Sequence, residues 1–354
     1  MHHAPEGGFR NPWPGAGEPE RGFGAFLKWR LERLRDGGVE PAPAEGSIPV
    51  VPGDVARPRA APDELRITWV GHSTLLLQVG GWNVITDPVW SERASPVAWA
   101  GPARLVPPGL DFEALPEIDA VLVSHDHYDH LDRETVLRLH RRFGPRLVWA
   151  APLGFADWFR ALGITGVREL DWWQETRLEE AAGAIPSAGP ERPPLSLTAA
   201  PAQHWSRRSP LERTRHRLWC SWAVQGGEAG AARVYFGGDS GYFPAYPEIG
   251  RRLGPFDVVA LPIGAYAPRW FMRPAHMDPD EAVRAYRDMA RAAGGGARGG
   301  VLLPIHWGTF RLTDEPVLEP PRRVQDAWQA AGLPPEDLAL LRHGETLVRR
   351  PAHG

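Results

Sequence analysis

Four side chains that commonly bind metal ions stand within one short segment, His125-Asp126-His127-Tyr128-Asp129-His130. The candidates are His125, His127, Asp129 and His130, and they directly follow an apolar run that is typical of a buried strand. Imidazole nitrogen and carboxylate oxygen are both good ligands for a borderline ion such as zinc. A solvated loop has no reason to gather three histidines and two aspartates behind such a strand. The segment therefore predicts a metal site.

Three further metal-capable residues each stand at or just beyond the end of a predicted strand. A sheet whose strand ends meet at one edge would bring them to the first four. Either histidine alone is readily explained as a packed residue, whereas a carboxylate behind two glycines can approach a crowded centre and bridge two cations. Their shared placement predicts that a two-metal centre is completed by His204, Asp239 and His306.

Asp87 ends another predicted strand and precedes Pro88. Two roles remain open for this residue from the sequence alone. Its carboxylate either orients a ligand histidine from behind or closes a turn.

Apolar runs and helical periodicity interleave along the chain and predict an α/β fold. We expect a large domain at 63–354, preceded by an arm, a helix and a linker at 1–62. Residues 179–194 are expected to form an exposed loop. Strands are predicted at 65–70, 74–79, 82–86, 120–124, 146–150, 195–200, 219–224, 233–236, 257–263 and 301–305, with a short strand pair at the C-terminus. Helices are predicted at 23–35, 134–142, 155–162, 279–293 and 324–331.

The predicted helix at 23–35 has an apolar stripe and several basic residues. Such a helix either docks its stripe on its own domain or lies on an anionic membrane, and docking is the commoner outcome. The stripe consists of Phe23, Phe26, Leu27, Leu31 and Leu34.

Composition sets broad limits on the class of protein. With 354 residues, 43% hydrophobic content and 16 Trp, the chain can bury a substantial core. A formal net charge of −3 provides no field that would gather nucleic acid. The single cysteine, Cys220, excludes an intramolecular disulfide and suits a reducing compartment. The expected location is cytoplasmic, with peripheral contact to a membrane surface as an open alternative.

The ordered set Asp87, His125/His127/Asp129/His130, His204, Asp239 and His306 resembles the successive motifs of the metallo-β-lactamase superfamily. The resemblance implies a four-layer αβ/βα sandwich with two zinc ions at the shared edge of its sheets. It assigns His125, His127 and His204 to one zinc. It assigns Asp129, His130 and His306 to the other, with Asp239 bridging.

Within that superfamily, the chain resembles the N-acylphosphatidylethanolamine-hydrolysing phospholipases D. Stretches that carry the likeness include 9–14, 68–72, 91–96, 124–132, 169–173, 203–205, 264–272, 276–279 and 306–310. The resemblance implies that a metal-bound hydroxide cleaves a phospholipid to phosphatidate and an N-acylethanolamine-like alcohol. It identifies Asp129 and His276 as catalytic, with His276 near the substrate phosphate. It also implies peripheral membrane contact and a homodimer.

Arg269 and the apolar residues Trp270, Phe271 and Met272 are candidates for substrate binding. We expect them either to line an acyl-chain groove, with Arg269 near the phosphate, or to be ordinary core. The substrate class has alternatives as well. The same metals would serve for a small lactone or a water-soluble phosphodiester, and a non-catalytic metal-binding scaffold is the remaining option.

Overall fold

Two mixed β-sheets packed face to face form the centre of the fold. The computed structural model describes residues 2–13, 22–179, 192–209, 212, 215–227, 231–294 and 300–350. The strands are β1 Leu65–Gly71, β2 Thr74–Val79, β3 Trp82–Thr86, β4 Ala120–Leu122, β5 Val148–Pro152, β6 Arg168–Leu170, β7 Glu175–Leu178, β8 Leu195–Ala200, β9 Ser221–Gly226, β10 Arg233–Phe236, β11 Val258–Pro262, β12 Val301–Ile305 and β13 Thr346–Arg349. The helices are α1 Phe23–Arg35, α2 Arg133–Phe143, α3 Ala156–Arg160, α4 Tyr246–Leu253, α5 Arg269–Met272, α6 Pro279–Ala292 and α7 Glu319–Ala330.

The strand order of the first sheet is β13-β1-β2-β3-β4-β5-β6, and that of the second is β12-β11-β10-β9-β8-β7. In the first sheet, β3, β4, β5 and β6 run parallel to one another. In the second sheet, β10, β11 and β12 are parallel. The carboxyl ends of parallel strands lie at the same edge of a sheet, so the loops after β3 and β4 lie together in the first sheet, and those after β10 and β12 lie together in the second. Face-to-face packing of the sheets then brings the two sets of loops together.

The fold has four layers, a layer of helices on the outer side of each of the two sheets, and a hydrophobic core lies between each pair of neighbouring layers. Along β1, Leu65, Ile67 and Trp69 point into the core between the sheets, whereas Val70 belongs to the core beneath α2 and α3. This alternation is the two-residue period of a strand with both faces covered. The outer face of the second sheet packs against residues of α4, α6 and α7, such as Tyr286. The predicted αβ/βα sandwich is confirmed.

Most of the predicted elements are present, and their ends differ by a few residues. The prediction of a C-terminal strand pair is wrong for the described residues: β13 is a lone last strand that pairs antiparallel with β1. Its hydrogen-bonding partner is distant in sequence, which a local pattern does not reveal. Most of the loop expected at 179–194 lies outside the described residues.

Helix α1 docks on the domain through a different face from the predicted one. Trp29 is buried, its ring lies 5.0 Å from that of Phe271, and its indole N–H donates to Asp314. Four residues of the stripe that was expected to dock are exposed instead, namely Phe26, Leu27, Leu31 at 57% and Leu34 at 73%. One aromatic anchor with a hydrogen-bond partner thus determines the docking face. No helix within the described ranges is long and apolar enough to cross a membrane.

Candidate metal centre

The segment from His125 to His130 lies in the loop between β4 and α2, at the edge where the parallel strands end. Asp132 fixes the far end of this loop because its carboxylate accepts a hydrogen bond from the backbone N–H of Glu134 at 3.2 Å. The same carboxylate accepts from the Ser91 hydroxyl at 2.8 Å. The loop is therefore held by a helix cap and by the segment after β3.

Three imidazoles form the first candidate ligand group. His125 Nε2 lies 2.9 Å from His127 Nδ1, and His204 Nε2 lies 3.2 Å from the same atom. The other ring nitrogen of His204, Nδ1, donates to the carbonyl of Ala275 at 3.0 Å. This bond directs Nε2 of His204 toward the group, as the outer hydrogen bond of a metal-binding histidine does.

Asp129, His130 and His306 form the second candidate group, and the structure adds His72 to it. The Oδ2 atom of Asp129 lies 3.4 Å from His130 Nε2 and 3.6 Å from His306 Nε2. Behind His130, its Nδ1 donates to Asp87 Oδ2 at 2.7 Å. Asp87 thus has the contact that orienting a ligand histidine requires.

Asp239 lies between the two groups. Its Oδ1 atom is 3.0 Å from His306 Nε2, while its Oδ2 atom is 3.2 Å from His130 Nε2 and 3.9 Å from His125 Nε2. Gly238 has a φ of +56°, and a Cβ at this position would lie 2.7 Å from the Cβ of Ser124. A glycine is therefore required for the backbone to bring Asp239 this close to the β4 loop.

The carboxylates of this centre are ionised although they are buried. Burial would raise the pKa of Asp239, but His130 and His306 hold that pKa well below its usual range. Burial would also lower the pKa of His130, but Asp239 and Asp129 hold it well above its usual range. The centre thus holds carboxylate charge and imidazoles together, and a divalent cation that binds them displaces the protons of the imidazoles.

The centre also contains buried polar atoms without hydrogen-bond partners among the described residues. They are His127 Nε2, His130 Nε2, His306 Nε2 and Asp239 Oδ1. Such atoms are costly to bury unless they bind something. Nitrogen and carboxylate ligands in this number fit two divalent ions, and a resident metal would satisfy these atoms.

His276 lies at the margin of the centre, where its Nδ1 is 3.8 Å from Asp239 Oδ2 and its ring is 5.1 Å from that of His204. Burial lowers the pKa of His276 to about 3. The ring is therefore neutral at neutral pH, and one of its nitrogens carries a proton that can be donated. It is the only one of the predicted substrate-contacting residues that the structure places at the centre.

The expected position of Arg269 beside a substrate phosphate is not what the structure shows. Its guanidinium donates to Glu281 Oε2 at 2.6 Å and to the carbonyl of His276 at 2.9 Å. The charge of Arg269 is thus paired with the carboxylate of Glu281, which caps α6. Arg269 also holds the backbone of His276 in place.

The run from Trp270 to Met272 is helical rather than extended, and its exposure shows that it is not ordinary core. Phe271 packs on Trp29 of α1, Trp270 is 40% exposed, and Met272 is half-buried. The carbonyl of Met272 accepts the backbone N–H of His276 at 2.9 Å. A single helical turn directs these neighbouring side chains away from one another, and their place in an acyl-chain groove stays a prediction.

Asp126 belongs to the same loop but points away from the metal-binding residues. Arg217 Nη1 donates to its Oδ2 at 2.9 Å, and the backbone N–H of Arg207 donates to its Oδ1 at 2.9 Å. Burial raises the pKa of Asp126, and the Arg217 charge opposes this shift. This ion pair ties the loop to the segment that precedes β9.

Replacing Arg217 with methionine is expected to destabilise the fold by about 3–5 kcal/mol, because it leaves the carboxylate of Asp126 buried without its partner. Urea unfolding followed by tryptophan fluorescence measures the change. The double variant Arg217→Met/Asp126→Asn should recover part of the loss. A change below about 1 kcal/mol would show that the pair is no stronger than a surface ion pair.

Sequence reasoning did not identify His72 as part of the site. Its Nε2 donates to Asp129 Oδ2 at 2.9 Å, and its ring lies 3.9 Å from that of His306. Both His72 and His306 have left-handed backbones, with φ of +52° and +63°, and the backbone N–H of His306 donates to the carbonyl of His72 at 3.0 Å. Strained non-glycine residues of this kind cluster at functional sites.

Replacing His72 with asparagine should weaken zinc binding by about 10–100-fold, because Asp129 loses the donor that orients it. Asparagine tolerates the left-handed backbone, so the fold should survive. Titration against a chromophoric chelator measures the affinity, with His140→Asn as the control on α2. An unchanged affinity would mean that Asp129 is positioned without His72.

The N-terminal arm also reaches the centre. Asn11 Nδ2 donates to the carbonyl of His204 at 2.9 Å, and the ring of Trp13 lies 4.4 Å from that of Phe243. In the described residues, the N-terminal arm thus packs against the domain that follows it. One indication in the sequence that the arm belongs with the domain is that residues 9–14 are among the stretches with a family likeness.

Comparison with known proteins relates this geometry to proteins of described activity. A sequence model of the β-lactamase superfamily domain matches residues 82–307, which contain all seven predicted metal-binding residues. An uncharacterised protein of Mycobacterium tuberculosis is 42% identical over 283 residues, which are 78% of this chain and 68% of that protein. The N-acyl-phosphatidylethanolamine-hydrolysing phospholipase D 1 of Caenorhabditis elegans is 40% identical over 270 residues, which are 74% of this chain and 69% of that protein.

A solved structure shows the same fold. The metallohydrolase of the archaeon Ignicoccus hospitalis superposes with a TM-score of 0.55 and 20% identity, over 81% of this chain and 98% of that one. This chain thus shares its fold of two packed sheets with a protein of known structure.

Proposed function

Since the chain belongs to the metallo-β-lactamase superfamily and is a metal-dependent hydrolase, we propose that it is a two-zinc phosphodiesterase of the phospholipase D type. The proposed substrate is N-acylphosphatidylethanolamine or a related glycerophospholipid. The products are phosphatidate and an N-acylethanolamine-like alcohol. Support for this substrate comes from the identity with the phospholipase D of C. elegans.

The position of Asp239 between two groups of imidazoles carries the proposal. One zinc would be held by His125, His127 and His204, and the other by Asp129, His130 and His306. Asp239 would contact both, because its Oδ2 lies 3.2 Å from His130 Nε2 of one group and 3.9 Å from His125 Nε2 of the other. Bound zinc would make a water reactive at neutral pH and neutralise charge on the phosphodiester.

His276 would hold the substrate phosphate in position. Its ring is neutral, and its backbone is fixed by Met272 and Arg269. A ring N–H can therefore donate to a phosphate oxygen without reorganising the loop. In the net reaction, water oxygen bonds to phosphorus, the bond from phosphorus to the alcohol oxygen breaks, and the alcohol leaves with a proton.

The exposed face of α1 would contact the lipid surface. Leu27, Leu31 and Leu34 are exposed on this face, Trp270 lies beside it, and Lys28 Nζ is 4.7 Å from the centre of the Trp270 ring. Apolar side chains flanked by basic ones are typical of a helix that lies in a membrane interface. Association into a homodimer stays a prediction.

Replacing Leu31 with aspartate should weaken binding to anionic phospholipid vesicles by roughly tenfold or more, because burial of one leucine contributes about 1.5–3 kcal/mol. Vesicle sedimentation measures the bound fraction. Val348→Asp changes an exposed side chain on β13 and should bind as the unaltered chain does. Equal binding by both variants would exclude α1 as the membrane contact.

Product identification tests the substrate class. The zinc-loaded protein is incubated with a panel of glycerophospholipids, lactones and water-soluble phosphodiesters, and the products are analysed by mass spectrometry. Release of phosphatidate and an N-acylethanolamine supports the proposal. Turnover of the water-soluble compounds alone would contradict the phospholipase assignment, and no turnover with two zinc ions bound would favour a scaffold.

A further inference from the structure

A second cluster of metal-capable side chains lies outside the candidate metal centre, where the N-terminal arm meets the segment after β6. His2 Nε2 lies 2.6 Å from Asp171 Oδ1, and His3 Nε2 lies 2.7 Å from Asp171 Oδ2. The three ligand atoms all lie within 4.8 Å of one another, and the cluster shares no residue with the other candidate groups.

The convergence of two adjacent histidines is unusual for an extended chain, in which successive side chains point to opposite sides. Here the arm doubles back. The backbone N–H of Arg10 donates to the carbonyl of His2 at 2.8 Å, and His3 forms a bridge with Phe9. The backbone is thus shaped so that both imidazoles face one carboxylate.

The surroundings hold the three side chains in place. The ring of His2 stacks on Trp172 with a centroid distance of 4.1 Å, and the backbone N–H of Trp172 donates to Asp171 Oδ1 at 2.8 Å. Phe9 flanks His3 with its ring 5.2 Å away. An aromatic wall on one side and an orienting backbone hydrogen bond on the carboxylate are features that preorganise metal ligands.

From this geometry, we propose that His2, His3 and Asp171 bind a third zinc ion, separate from the two of the proposed catalytic centre. Two imidazole nitrogens and one carboxylate make up a common zinc ligand set, with water completing the coordination. Tetrahedral bonds of 2.0–2.2 Å place neighbouring ligand atoms about 3.3–3.6 Å apart, so each nitrogen must move about 0.6–1.0 Å from its oxygen. Because the side chain of His3 is 52% exposed, it has room to make this adjustment.

The site would fix the N-terminal arm to the domain. The same arm carries Asn11, which donates to the carbonyl of the candidate zinc ligand His204. Between these points, the backbone N–H of Phe9 donates to the carbonyl of Arg215 at 2.9 Å. The third ion would thus stabilise an arm that contacts the catalytic centre, although it takes no part in the reaction itself.

Native mass spectrometry of the full chain, produced without a histidine tag and dialysed against zinc sulfate, tests this site. We expect three zinc ions per chain, and two in each of the variants Asp171→Asn and His3→Gln. Asparagine preserves the size of Asp171 and its hydrogen-bonding ability, so a folding failure is not expected. His140→Gln serves as the matched control and should retain three ions.

A second variant separates this site from the proposed catalytic centre. The Asp239→Ala chain should lose the two catalytic ions and keep the third, which is then lost when Asp171→Asn is added. Equal zinc counts in the unaltered chain and in both arm-site variants would overturn the proposal. The cluster would then be a hydrogen-bonded clip without a metal.

Discussion

Replacement of Asp239 with alanine is expected to remove zinc from the catalytic centre and to abolish phosphodiester turnover. Its carboxylate lies against both sets of imidazoles, at 3.0 Å from His306 Nε2 in one set and 3.9 Å from His125 Nε2 in the other. Without Asp239, the predicted ligands would offer the two divalent ions the negative charge of Asp129 alone. Loss of an outer-sphere partner alone costs about 10–100-fold in affinity or activity, so loss of the shared ligand should cost more.

Zinc content by atomic emission and turnover with a soluble chromogenic phosphodiester measure this effect together. Asp157→Ala is the matched control, because this carboxylate lies on the exposed surface of α3. Retention of both catalytic ions in the Asp239→Ala chain would contradict the bridging role. Retention of the ions with loss of turnover would instead assign Asp239 to substrate chemistry.

Replacement of His276 with alanine should lower kcat by about 10²–10⁴-fold while the zinc content stays unchanged. The side chain faces the centre without a hydrogen-bond partner for Nδ1 among the described residues. Since the structure ties its backbone to Met272 and Arg269, the substitution removes the ring and leaves the loop in place.

Single-turnover and steady-state kinetics separate the role of His276 from general binding. A fall in kcat with little change in KM indicates an interaction that forms in the transition state. Arg269→Gln should show a smaller fall, because it acts on His276 only through the backbone. Loss of zinc from the His276→Ala chain would contradict this role and make His276 a metal ligand.

Much of the metal centre was predictable because its residues occupy strand ends. Buried strands are visible as apolar runs, and in parallel sheets their ends meet at one edge, so His204, Asp239 and His306 could be associated with the His125 loop. The other aspartate of that loop, Asp126, received no role from the sequence. Asp126 turns toward Arg217 because of a partner about ninety residues away, a contact that no local pattern carries.

The predictions for α1, Arg269 and His72 were wrong or missing for one physical reason. In each case, a contact with a residue distant in sequence decides the side chain's position, and the local sequence pattern does not contain that contact. Helix α1 was recognised by its period, but Trp29 rather than the leucine stripe docks, because Trp29 meets both Phe271 and Asp314. Arg269 was expected at the phosphate, yet its guanidinium donates to the carboxylate of Glu281. His72 was not recognised because its place beside Asp129 depends on a left-handed backbone at the end of β1.

Hydrolysis in ¹⁸O-labelled water tests the central claim most directly. The zinc-loaded chain is incubated with N-acylphosphatidylethanolamine, and mass spectrometry locates the label in the products. Attack of activated water on phosphorus predicts one ¹⁸O atom in the phosphate of phosphatidate and none in the released alcohol. Label in a free fatty acid, or in the alcohol, would show that a carbon centre is attacked and would contradict the account.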